Sequence, residues 1–99
     1  MAKLKIIDDK DRDSTKNLVK LAISKEIKRL EISLDKTNKI ISEFEKMYKI
    51  SSEYFLENYS AESLDGKDEE YIRWSGEIQI RSKILTDLSK LKEIEYETQ

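Results

Sequence analysis

No proline and only two glycines, Gly66 and Gly76, occur in 99 residues, so almost nothing in this chain forces the backbone to turn. Sandwiches and barrels of this length need turn punctuation about every 8–12 residues, and that punctuation is missing. Lys, Glu, Leu and Ile dominate instead, which favours long helices with solvated charged faces. With 40% charged and 37% hydrophobic side chains, the chain has apolar material for one small domain.

The residue types present also remove chemistry. There is no histidine and no cysteine. Zinc sites of the usual kind, Cys or Ser–His nucleophilic catalysis, thiol redox work and disulfides therefore have no residues to run on. Two isolated glycines cannot build a Walker or dinucleotide-binding phosphate loop. No catalytic role and no cofactor is expected. No apolar run approaches the ~18 residues that span a bilayer, and the opening segment meets acid at Asp8 before a signal-peptide core could form. A cytoplasmic protein with no membrane partner is the expectation. Absent Cys, few Met and abundant Lys, Glu and Ile suit a hot habitat.

Charge is unevenly spread. Residues 1–50 hold 13 basic and 9 acidic side chains, a balance of +4, whereas residues 51–99 hold 6 and 12, a balance of −6. Such halves can fold back on one another, or the acidic half can face a basic partner. Nucleic acid is not an expected partner, because runs such as Lys25-Glu26-Ile27-Lys28-Arg29-Leu30-Glu31 interleave the signs and leave no stripe to track phosphates.

Along the chain, residues 1–14 read as a flexible charged arm ahead of a single helical domain over 15–99. Asp9, Asp11 and Asp13 have the opening spacing of a calcium loop. Ser14 stands where the turn glycine belongs, however, and Lys20 where the closing glutamate would be, so a helix start capped by Asp13 or Ser14 is the better reading. From Thr15 to Lys49, Ile23, Ile27, Leu30, Leu34, Ile41, Phe44 and Tyr48 keep a heptad step, with Thr37 filling the gap. Ser51 or Ser52 caps a short second helix carrying Phe55, Leu56 and Tyr59 on one face, and Asp65-Gly66 marks the following turn. Asp68 caps a third helix reaching about Glu95, with Tyr71, Trp74, Ile78, Leu85 and Leu88 as its seam and Ile84, Leu91 and Ile94 drifting to an adjacent stripe. Gly76 in mid-helix implies close approach by another backbone.

These readings give an all-α fold: two long antiparallel helices joined by a short helical corner, a coiled-coil-like helical bundle. Its apolar width is more than one copy of 99 residues can hide. The expected oligomer, a dimer or tetramer, joins through Ile27, Leu30, Leu34, Ile41, Phe44, Ile78, Leu85 and Leu88. Carboxylate-plus-magnesium hydrolysis would need paired Glu-x-x-Glu motifs. The chain has none, and only the single Glu62 to Asp65 spacing.

The segment Tyr48-Lys49-Ile50-Ser51-Ser52-Glu53-Tyr54-Phe55-Leu56, followed by Glu70-Tyr71-Ile72-Arg73-Trp74, resembles a group of small helical proteins frequent in archaea and cyanobacteria. They share a Tyr-x-x-Ser-Ser-Glu-x-Phe-Leu stretch and an acid-aromatic-x-x-Trp stretch, and are antitoxin components encoded beside small toxins, including those of the TumE kind. The likeness covers about residues 44–78, with Ser51, Ser52, Phe55, Leu56, Tyr59, Tyr71 and Trp74 as the shared elements. It implies a non-catalytic protein that neutralises a cognate toxin by direct contact. Phe55, Tyr59, Tyr71, Trp74 and Glu70 are then the candidate partner contacts, since hot spots favour Trp and Tyr. Read from the residues alone, the same aromatics form a buried corner, and the chain is a self-associating structural or adaptor bundle.

Overall fold

The computed structural model describes residues 12–59 and 68–97. The protein is all-α. Helix α1 spans Arg12–Tyr48, α2 spans Ser52–Asn58 and α3 spans Asp68–Glu97, and there is no strand among the described residues. No helix among them is long and apolar enough to cross a membrane. The calcium-loop positions Asp9 and Asp11, the Glu62–Asp65 spacing and the Asp65-Gly66 turn lie outside the described residues. Asp13 and Ser14, expected in an arm and as caps, belong to the first turns of α1. Asp68, expected as a cap, is the first residue of α3, and Glu69 and Glu70 follow it in a first turn where carboxylates suit the helix dipole.

Contacts sort the chain into two compact units: Met1–Ser33 with Ile84–Gln99, and Leu34–Lys83. In the first unit α1 and α3 run antiparallel. The Ser24 hydroxyl donates to Glu95 Oε2 at 3.2 Å, and one turn and more further along α1, Glu31 pairs with Lys92 at 3.7 Å, so the partners descend α3 as they climb α1. Ile23, Ile27 and Leu30 are buried here with Ile84 and Leu88. The exposed Arg29 guanidinium grips Glu26 through two bonds of 2.7 and 2.6 Å, a surface pair of little consequence for stability.

In the second unit the two long helices again run antiparallel, with the Thr37 hydroxyl donating to Glu77 Oε1 at 3.0 Å and the Tyr48 hydroxyl to Glu70 Oε1 at 2.5 Å. Thr37 is buried, so the polar step in the heptad is accommodated by a carboxylate that reaches it. Among the described residues no buried side-chain nitrogen or oxygen lacks a partner.

The expected intermolecular seam is turned inward. Ile27, Leu30, Ile41, Phe44 and Leu88 are buried within one chain, Leu34 and Ile78 are half-buried, and Leu85 is 49% exposed. Leu85 is the one position of that seam exposed outside the chain's own core. The inward row on α3 steps from Trp74 through Ile78 and Arg81 to Ile84 and Leu88, inserting one three-residue step where a strict heptad demands four.

Candidate functional site

Helix α1 ends because Lys49 adopts a left-handed backbone, φ 58°, and the next residue, Ile50, turns back onto the aromatic core. The conformation is one that glycine adopts freely and lysine at a cost. Helix α2 starts two residues later. Its seven residues are too few to hold a helix unaided, so its N–H groups need outside acceptors. Ser51 is the cap: its Oγ accepts from the Tyr54 N–H at 3.1 Å, and its carbonyl from the Phe55 N–H at 3.0 Å. Glu45, on the last turns of α1, accepts from the Ser52 N–H at 2.9 Å. A carboxylate and a hydroxyl together thus meet the helix start.

The second serine of the pair has different work. Ser52 is buried, and its Oγ accepts from the Trp74 Nε1–H at 3.0 Å. Trp74 stacks on Phe55 with centroids 3.8 Å apart and planes 8° from parallel. Phe44 stacks on it at 5.5 Å and Tyr48 at 5.6 Å. Tyr71 and Tyr59 lie against Phe55 at 5.2 and 5.9 Å. So close an overlap is disfavoured by the ring quadrupoles, and burial of the two largest rings is what sustains it.

Of the expected partner contacts, Phe55 and Trp74 are 0% exposed, and neither can meet another molecule while the corner is folded. They are corrected to core. The spacing that put them on one face is also the spacing that lets them bury one another. Tyr59, Tyr71 and Glu70 are half-buried. Glu70 closes the corner by accepting from Tyr48, whose hydroxyl is pushed up to a pKa of about 12 by its burial and then by the carboxylate beside it.

Beside this corner, between α1 and α3 of the second unit, lies an open groove of about 320 Å³. Ile40, Phe44 and Met47 form its apolar lining from α1, and Met47 is 61% exposed. Glu43 from α1 and Glu69, Glu70 and Arg73 from α3 form its polar edge. Three carboxylates face one guanidinium. Of these residues the sequence marks Phe44 as a seam position and Glu70 as a candidate partner contact. A lone Glu two turns before a capped helix was the available signal for Glu45. No three acidic residues among those described converge as a cation site would require.

No protein-family model, curated protein or solved structure matches this chain. Function has to be argued from the groove and the corner.

Proposed function

We infer that the chain is a non-catalytic protein-binding module of the antitoxin type, which neutralises a cognate small toxin by covering part of its surface. The observation that carries this reading is the groove: an apolar lining of Ile40, Phe44 and Met47 edged by Glu43, Glu69 and Glu70 against Arg73 alone. An apolar trough with a carboxylate rim complements a basic amphipathic surface, and RNA-directed toxins present basic surfaces to their substrates. The aromatic corner serves as the scaffold that holds Phe44, Glu70 and Arg73 in register, and the acidic balance of residues 51–99 steers the basic partner towards it. Binding of this kind takes place in the cytoplasm, where toxin and antitoxin are made together.

The test is co-expression with the product of the adjacent gene, followed by capture through a tag on either chain. Stoichiometric complex formation that Glu43→Lys with Glu69→Lys reduces by about tenfold or more supports the reading. Absence of association at micromolar concentration, or a complex indifferent to both reversals, overturns it.

A further inference from the structure

We propose that a second copy of this chain docks antiparallel on the outer face of α3, with Gly76 at the crossing point. The proposal concerns the face of α3 centred on Gly76; Glu69 is shared with the rim of the groove, and recovery of self-association in the double reversal tells this contact apart from capture of a basic partner. A mid-helix glycine costs about 1 kcal/mol relative to alanine and is kept where another backbone comes close. Among the described residues nothing comes close: a Cβ at Gly76 would meet no atom of another element within 4 Å. The position faces away from Trp74 and the core, and it is flanked by two exposed isoleucines, Ile72 at 65% and Ile80 at 48%.

The residues around it form a self-complementary set. At 100° per residue, Glu69, Ile72, Ile80 and Lys83 all fall within about 60° of Gly76 around the helix. Ile72 lies four residues before Gly76 and Ile80 four after, while Glu69 lies seven before and Lys83, which also interacts within its own chain, seven after. When two such helices cross antiparallel at Gly76, Ile72 of each copy meets Ile80 of the other, and Glu69 of each meets Lys83 of the other. The ion pair forms twice about one two-fold axis, the symmetry that most small homodimers adopt. A parallel crossing would set Glu69 against Glu69 and Lys83 against Lys83, so charge selects both the occupant and its direction. The missing side chain at the centre lets four isoleucines pack across a short helix separation.

Sedimentation velocity on the full chain, from about 10 µM to about 1 mM, tests this. The wild type should rise towards the mass of two chains. Gly76→Leu, whose Cβ meets nothing among the described residues and which improves helix propensity, should stay at the mass of one chain throughout while melting no lower than wild type. Glu69→Lys alone and Lys83→Glu alone should each weaken association by about tenfold, and the two reversals combined in one chain should restore it. A wild type that stays at the mass of one chain over the whole range overturns the proposal. So does self-association that Gly76→Leu leaves intact, or a double reversal no better than the single ones.

Discussion

At the scale of single residues, the corner is built from groups whose polar atoms are matched one to one. Ser52→Ala removes the only described acceptor of the buried Trp74 Nε1–H and should cost about 1–3 kcal/mol, read as a lower urea midpoint together with a change in emission of the single tryptophan. Tyr48 makes stability depend on alkaline pH. Its folded pKa of about 12 lies above the value of about 10 that an unfolded tyrosine shows, so the neutral form is the one the fold prefers. Its contribution is complete below about pH 10 and is lost as pH climbs towards 12, because the unfolded chain releases that proton first. The stability gap between wild type and Tyr48→Phe should accordingly narrow between about pH 10 and pH 12; a gap that widens counts against the assignment. Lys49 works in the other direction. Replacing a left-handed lysine by glycine relieves the Cβ clash, and Lys49→Gly should raise Tm by about 4 °C or more.

At the scale of elements, α2 depends on its neighbours. Seven residues lie well below the ~12–15 at which an isolated helix becomes even marginal, so Ser51, Glu45 and the burial of Phe55 keep it formed. Ser51→Ala should cost about 1 kcal/mol and speed amide hydrogen exchange at Tyr54 ahead of the middle of α1. Exchange that quickens uniformly over all three helices would mean that α2 does not open separately. On α3, the three-residue step from Arg81 to Ile84 decides which aliphatic is buried. Leu85→Ala should therefore cost well under 1 kcal/mol, whereas Ile84→Ala should cost about 2 kcal/mol or more, as measured by denaturant titration.

At the scale of the whole molecule, the charge asymmetry of the halves finds its local expression in the groove, where acidic side chains edge an apolar lining. Rim charges set association rate and salt dependence more than lifetime. Partner capture through this groove should weaken as salt rises from about 50 to about 500 mM, with Glu43→Gln flattening that dependence. A salt-independent complex would place the contact on another surface. The face around Gly76 also presents exposed apolar side chains, Ile72 and Ile80, and the occupants proposed for the two surfaces differ, one basic and one a copy of the chain itself.

Helical class, the three helices and the residues near which each begins and ends were legible from the sequence, because periodicity, caps and the lack of proline act within a few residues of one another. A serine cap at Ser51 or Ser52, Thr37 as the polar step and Asp68 to Glu70 at a helix start are of this local kind. Which aromatics are sealed away, that Ser52 and not another acceptor meets Trp74, that Glu45 caps a helix it does not belong to, and that Glu43 and Glu69 line the same groove were decided only in three dimensions. Burial and complementarity depend on partners supplied from distant parts of the chain, and a one-dimensional repeat cannot register a phase slip until another helix packs against it.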